Sequence, residues 1–268
     1  MPASLRRERI VAAVDERGFA RTLDLARDLG TSEVTIRTDL DALESTGRVV
    51  RVHGGATSGA GSPVERPFEE ETVVRADDKR AIGICAAGLV SSGQCVVLDV
   101  GTTSAQIAEA LLARTDLVDV TVVTNGLTIA LALERAVPRF TVIVTGGTLR
   151  PLQHSLVNPL AATVLESVTA DLAFIGCTGV DVEHGVTNVN LPETDLKRVM
   201  ARSARRSFIV ADGGKMGEAH LGVIGPLASF DGLVTAGAAP RDVAALRGAG
   251  LVVIEADAAT DESTLEHE

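Results

Sequence analysis

Three loops of this chain set glycine beside hydroxyl side chains at spacings suited to holding an anion. Asp99-Val-Gly-Thr-Thr-Ser104 follows the apolar run Cys95-Val-Val-Leu98 and precedes a helical pattern. Gly101 permits a sharp turn there. Thr102, Thr103 and Ser104 then present hydroxyls next to the unsatisfied N–H groups of a helix N-terminus, which is a ready site for phosphate. Thr124-Asn125-Gly126 closes the next apolar run and Thr145-Gly146-Gly147-Thr148 the one after. Asp212-Gly-Gly-Lys215 directly follows a later one and adds a carboxylate and an ammonium. These loops define a candidate ligand set of Asp99, Gly101, Thr102, Thr103, Thr124, Asn125, Gly126, Gly146, Gly147, Asp212 and Lys215. Asp181, Glu193 and Lys197 also fall near predicted strand ends or helix starts, where each reads more simply as a solvated surface charge.

A different chemistry is written near the N-terminus. On a helix beginning after Ser32, the residues Ile36, Leu40 and Leu43 fall at i, i+4 and i+7, a single apolar stripe. Val34, Thr35, Thr38 and Asp41 take the opposite side with Arg37 on the flank. Small polar groups and one guanidinium allow a backbone to approach base edges in a major groove. Thr31 or Ser32 can cap the first turn. Beyond a break at Gly47, Arg48-Val-Val-Arg-Val52 reads as a strand with two basic side chains, and His53 follows it. Ser32, Thr35, Arg37, Thr38, Arg48, Arg51 and His53 are the candidate DNA contacts.

These residues need supporting elements. Leu5–Arg17 and Thr22–Gly30 carry helical patterns, the second with Thr22 as its cap and Gly30 as its stop. Three helices, a tight turn at Gly30-Thr-Ser32 and a basic strand make a winged helix-turn-helix. From Ala56 the composition shifts to Gly, Ser, Ala and Pro. We therefore expect a DNA-binding domain over 1–57, a linker over 58–74 and a larger domain over 75–260. A helix over about 76–91 opens that domain. Strands at Cys95–Asp99, Val120–Thr124, Phe140–Thr145, Leu172–Ile175, Phe208–Ala211, Gly232–Thr235 and Leu251–Ile254 then alternate with helices. The helices fall at Ala105–Leu112, Leu127–Ala136, Leu156–Ser167, Glu193–Ser207 and Arg241–Gly248. Continuous apolar strands between helices predict a Rossmann-like, mostly parallel α/β sheet covered on both faces. Ligands of such sheets bind outside the carboxyl ends of the strands.

Composition narrows the function. With 46% hydrophobic residues the 268-residue chain is not disordered, and with no Trp or Tyr it has little aromatic surface on which bases could stack. The net charge of −11 belongs wholly to the larger domain, since residues 1–57 hold nine Lys/Arg and nine Asp/Glu. A neutral head makes few phosphate contacts, so we expect a homo-oligomer, dimer or tetramer, that pools them. No apolar run reaches the length of a membrane span and the first residues are polar, which predicts a cytoplasmic protein without a membrane partner. Cys85, Cys95 and Cys177 sit in apolar surroundings without metal-ligand spacing and read as reduced structural residues. No metal is expected. The dinucleotide signature and the Lys-bearing phosphate loop are absent, so neither NAD nor ATP is expected and no cofactor is assigned.

Thr35-Ile-Arg-Thr-Asp-Leu40 and Arg51-Val-His-Gly-Gly-Ala56 resemble the signature of the DeoR/GlpR family of sugar-operon repressors. Leu98-Asp-Val-Gly-Thr-Thr103, Val123-Thr-Asn-Gly126, Thr145-Gly-Gly147, Asp171-Leu-Ala-Phe-Ile-Gly176, Lys197-Arg198 and Ala211-Asp-Gly-Gly-Lys215 resemble the sensor domain of the same family. That domain is similar to sugar-phosphate isomerases but acts as a sensor. The chain departs from the family pattern at Thr38, where a second Arg is usual, at Asn158, where Gly is common, and at Ala236, where an Asp is usual. The resemblance implies a repressor of a carbohydrate operon that binds double-stranded operator DNA and answers to a small phosphorylated sugar or polyol. The alternative is an aldose–ketose phosphate isomerase with an added head. It needs a carboxylate base, for which Asp99, Asp181 or Glu193 could serve, and no paired-acid motif singles one out.

Overall fold

The structure is a computed structural model that describes residues 2–17, 19–45, 48–52, 54–58 and 65–257. The chain divides into two compact units, Met1–Arg66 and Pro67–Glu268.

The first unit runs α1 (Ala3–Arg17), β1 (Phe19–Arg21), α2 (Thr22–Asp28), α3 (Glu33–Ser45), β2 (Val49–Val52) and β3 (Gly55–Ser58). Its strands form an antiparallel sheet in the order β1-β3-β2. Ile10 and Val14 of α1, Leu25 of α2, and Ile36, Leu40 and Leu43 of α3 close on Val49 and Ala56 as one buried cluster. The apolar stripe read along α3 is the stripe that is buried. β1 and β3 were not expected. They are short, and Gly55-Ala-Thr-Ser58 has a linker's composition; pairing on both sides makes it the central strand. Thr22 is not a cap: Arg21 stands at that position without a side-chain bond, while Thr22 is buried.

The second unit opens with α4 (Phe68–Val73) and α5 (Ala76–Gly88), so part of the segment read as a linker is helical. There follow β4 (Cys95–Leu98), α6 (Thr102–Ala113), β5 (Val120–Thr124), α7 (Leu127–Leu133), β6 (Phe140–Val144), β7 (Thr148–Arg150), β8 (Ser155–Val157) and α8 (Leu160–Glu166). The chain continues through β9 (Ala170–Gly176), β10 (Gly179–Asp181), β11 (Gly185–Asn188), α9 (Leu191–Arg202), β12 (Ala204–Val210), β13 (Gly222–Gly225), β14 (Gly232–Thr235), α10 (Pro240–Gly248) and β15 (Val253–Glu255).

Seven strands form one sheet in the order β15-β14-β12-β9-β4-β5-β6, and every pairing is parallel. Alternate strand residues go to opposite faces. Val96, Leu98, Val122, Phe174 and Val210 pack with Ile82, Ile107, Leu111 and Ile129 of α5, α6 and α7. Val97, Val123, Ile175, Ile209 and Leu233 pack with Leu165, Leu196, Met200 and Val243 of α8, α9 and α10. Burying each such side chain contributes about 2 kcal/mol. The chain leaves β4 toward β5 and β6, then returns to β9 on the other side. The carboxyl ends of β4 and β9 therefore flank the point where strand order reverses, the expected ligand position of an open α/β sheet.

Two expected helices end differently. Ser155–Val157 pairs with Thr148–Arg150 as a hairpin, so α8 begins only at Leu160. Ala204–Val210 pairs with β9 from Ala204 onward, so the helix stops at Arg202 instead of Ser207. Tertiary pairing overrides local helical spacing at both places. The antiparallel sheet β10-β11-β13 was also not foreseen.

Candidate functional site

Helix α3 presents Val34, Arg37, Thr38 and Asp41 to solvent, with Thr35 half-buried. Ser32 is the cap: its Oγ accepts the Thr35 N–H at 3.2 Å and lies 2.9 Å from the Thr35 hydroxyl. Thr38 donates to the Val34 carbonyl at 3.1 Å, and Arg37 pairs with Glu33 one turn earlier at 3.2 Å. An exposed i,i+4 pair of this kind is worth about 0.3–0.5 kcal/mol. Arg37 can therefore leave Glu33 for a base or phosphate at small cost. Arg48 is exposed just before β2. Arg51 lies on β2 opposite Ala56, while its side chain, like the whole of His53, is outside the described residues.

The buried side of this helix also carries one charge. Asp39 is almost fully buried and accepts from Arg6 and, at 3.0 Å, from Arg7 of α1. Burial opposes its ionisation, yet hydrogen bonds and charge from the two guanidiniums win and hold its carboxyl below the ordinary Asp range. That stabilisation is complete above the ordinary value and is lost as pH falls through the depressed one. Asp39→Asn removes the charge both arginines share and is expected to cost this unit about 2–4 kcal/mol. Hydrogen exchange at the amides of α3 checks this, and unchanged protection would show the pairing to be incidental.

In the second unit, a charged cluster sits at the reversal point of the sheet. Asp99 follows β4 and has no exposed surface. One of its oxygens, Oδ2, accepts the Gly176 N–H at 3.0 Å and the Lys197 ammonium, while Oδ1 has no partner. Lys197 and Glu193 are both 4% exposed and stand one turn apart on α9. Glu193 Oε1 accepts from Arg150 of β7 at 2.8 Å and from Ser155 of β8 at 2.6 Å. Burial pushes the Asp99 carboxyl above its ordinary value, against the pull of Lys197. Burial alone would lower Lys197, but Asp99 and then Glu193 outweigh it and hold the ammonium charged. The solvated reading suits Asp181, which binds the backbone and ring of His184 in a turn. It fails for Glu193 and Lys197, which are buried.

Next to Asp99, Gly101 takes φ +130° at the N-cap of α6, a conformation that favours glycine. No side chain caps this helix and no acidic residue lies in its first turn. Thr102 is buried, Thr103 is half-buried, and the Ser104 hydroxyl is fully buried without a partner. Two neighbouring loops contribute framework. Asn125 accepts the Val100 N–H at 2.9 Å and donates to the Leu156 carbonyl at 3.3 Å, which ties the ends of β4 and β5 to the hairpin. The Thr124 hydroxyl accepts the Gly126 N–H at 3.0 Å. Gly146 and Gly147 join β6 to β7, and the Thr145 hydroxyl donates to the Gly146 carbonyl.

Asp212 and Lys215 stand at the carboxyl end of β12, among other charges. Asp212 Oδ1 accepts the Gly214 N–H at 2.9 Å and lies 3.3 Å from Arg75 Nε. Gly213 is required by packing, because a Cβ there would sit 2.1 Å from the Gly237 carbonyl oxygen. Lys215 Nζ is 3.1 Å from Glu71 Oε1, the same oxygen that is 3.2 Å from Lys79 Nζ. Cys177, at the end of β9, lies within the fields of Lys197, Lys215, Asp212 and Asp99. Burial pushes its thiol up to about 12, so it offers no thiolate at neutral pH. All three cysteines are free and half-buried rather than wholly enclosed.

Lys197, Glu193, Glu71 and Cys177 lie outside the candidate ligand set that the loop motifs define. A signal for two of them was present. Glu193, Leu196, Lys197 and Met200 fall at i, i+3, i+4 and i+7, which sets two charges on the buried stripe of α9.

Comparison with known proteins covers both units. A family model described as the DeoR-like helix-turn-helix domain matches residues 6–60, and one described as the DeoR C terminal sensor domain matches residues 74–236. The chain is similar to the HTH-type transcriptional regulator GolR of Listeria innocua, with 33% identity over 86% of this chain and 89% of that one. It is similar to the HTH-type transcriptional regulator GlpR of Haloferax volcanii, with 32% identity over 95% and 98%. The glycerol-3-phosphate regulon repressor of Escherichia coli is 26% identical over 91% and 94%.

Proposed function

We propose a function from the premise that this chain belongs to the DeoR family of helix-turn-helix transcriptional regulators. It is a sequence-specific DNA-binding regulator, a repressor of a carbohydrate operon, and not an enzyme. Its effector is a small phosphorylated sugar or polyol, the class to which glycerol 3-phosphate in the name of one relative belongs. It acts in the compartment that holds the operator, the cytoplasm. A dimer or tetramer supplies the phosphate contacts that one neutral head lacks.

The observation that carries the sensor reading is the uncapped N-terminus of α6 beside two buried, unpartnered oxygens, Asp99 Oδ1 and Ser104 Oγ. N–H groups of the first turn and the Thr102 and Thr103 hydroxyls suit a phosphate. The free Asp99 oxygen suits the hydroxyl of a polyol, since a buried acceptor without a partner costs about 1–3 kcal/mol until a donor reaches it. Lys215 adds positive charge against the net −11 of the chain.

A mobility shift on the DNA upstream of the protein's own coding sequence tests the function, with turnover of pentose and hexose phosphates assayed in parallel. Retarded DNA without turnover is expected, and turnover without DNA binding would overturn the reading. The same assay separates helix from wing. Arg37→Ala should cost roughly 1–3 kcal/mol and lose discrimination at one base pair. Arg48→Ala should weaken binding to all sequences alike and lower the salt slope by about 1. Normal binding by folded Arg37→Ala protein would show that α3 is not the reader.

A further inference from the structure

Helix α4 is six residues long and none of them is buried, so its own packing does not explain its place. Polar contacts hold it. Glu71 Oε1 lies 3.1 Å from Lys215 and 3.2 Å from Lys79, and the Glu71 carbonyl accepts from Lys79 at 2.6 Å. Glu69 Oε1 lies 2.7 Å from His154 Nε2, and the Phe68 ring meets the His154 ring edge-on at 5.7 Å between centroids. His154 closes the turn between β7 and β8, whose Arg150 and Ser155 hold Glu193, and Lys215 ends the loop after β12. Every partner of α4 named here except Lys79 thus belongs to a loop around the proposed effector pocket. Lys79 lies within the field of Asp212 from that same loop.

We propose that Glu71 is an internal counter-anion competing with the effector's phosphate for Lys215, so that α4 is a strap loosened when a phosphomonoester binds. The inference rests on the pocket reading above. A phosphate dianion presents three acceptor oxygens and more charge than one carboxylate, so it outcompetes Glu71 for a mobile ammonium. Lys79 is 2% exposed and stays with the core, whereas Lys215 is a quarter exposed at its side chain and can turn. In chain order α4 is the first sensor element after the DNA-reading unit. Coupling of this kind is reciprocal, so weakening the Glu71–Lys215 contact must strengthen phosphate binding.

The test combines hydrogen exchange over residues 68–75 with calorimetry on the full chain, using inorganic phosphate and glycerol 3-phosphate at constant ionic strength. In the wild-type protein both phosphates should speed exchange in α4, and chloride should not. Glu71→Gln should exchange fast without ligand and bind phosphate about tenfold tighter. Glu69→Gln breaks only the His154 contact and leaves the charge on Glu71, so it should loosen α4 and tighten phosphate binding by clearly less than Glu71→Gln does. The strap is overturned if phosphate leaves wild-type exchange unaltered or slows it, if Glu71→Gln binds phosphate no tighter, or if Glu69→Gln tightens binding equally. The wild-type exchange arm decides the matter even if Glu71→Gln fails to fold. Failure of the pocket reads out separately, in the Thr102 and Thr103 variants described below.

Discussion

Lys197→Met is expected to be the most destabilising single change in the sensor unit. Asp99 is fully buried and Lys197 is its charged partner, so the substitution leaves a carboxylate enclosed without a counter-charge. Removing one member of a buried pair costs about 3–5 kcal/mol, and both groups here are far too buried for solvent to screen that loss. In a unit of this size such a loss lowers the melting temperature by on the order of 10 °C. The variant should also acquire a pH dependence. Its Asp99 would have a folded-state pKa raised further by the loss of the ammonium, so the penalty is present at neutral pH. It is relieved as pH falls through that raised value toward the ordinary one, where the carboxyl goes in protonated. Adding Asp99→Asn to Lys197→Met should recover much of the stability, because no enclosed charge remains. A double variant no more stable than the single one would mean that packing by the lysine stem, and not the ion pair, is what matters.

The same pair shows what the sequence makes legible and what it hides. The parallel sheet could be read because Cys95–Leu98 is an unbroken apolar run and Val120–Thr124 and Phe140–Val144 are interrupted only by threonine, the pattern of strands in a covered parallel sheet. Helix α3 could be read because Ile36, Leu40 and Leu43 keep a strict spacing. Glu193 and Lys197 were hidden because helix α9 also carries Asp195 and Arg198, which do face solvent. Composition cannot tell these charges apart; position on the stripe can. The hairpin β7–β8 was hidden for another reason. Its strands are three residues each and draw their order from Asn125, which is distant in sequence. The acidic run Glu69-Glu-Glu71 has the composition of a solvated connection, and only the lysines that meet Glu71 in the folded unit give it a role. Asn158, Thr38 and Ala236 depart from the family pattern, and nothing in the fold explains the choice of residue there.

Thr102→Val with Thr103→Val is expected to have the largest effect on sensing. Valine has nearly the helix propensity and shape of threonine, so α6 and the operator affinity should survive. The change removes two hydroxyls from the first turn of the helix whose N-terminus no side chain caps. Hydrogen bonds to a charged group are worth about 1.5–3 kcal/mol each, so affinity for the phosphate should fall by about 100-fold or more. Backbone N–H groups remain and leave a weak residual site. An effector shifts DNA binding only through its different affinities for the two states, so the operator response should disappear at concentrations that saturate the wild-type protein.

The most direct measurement is operator affinity by fluorescence anisotropy during titration with a panel of sugar and polyol phosphates, for wild-type protein and this double variant side by side. The account predicts that one phosphorylated compound changes wild-type affinity for the operator while its unphosphorylated parent does not. The double variant should bind the same DNA normally and ignore that compound. A double variant that answers the compound at unaltered concentration would place the phosphate away from α6, and a wild-type protein indifferent to every phosphorylated member of the panel would contradict the sensor itself.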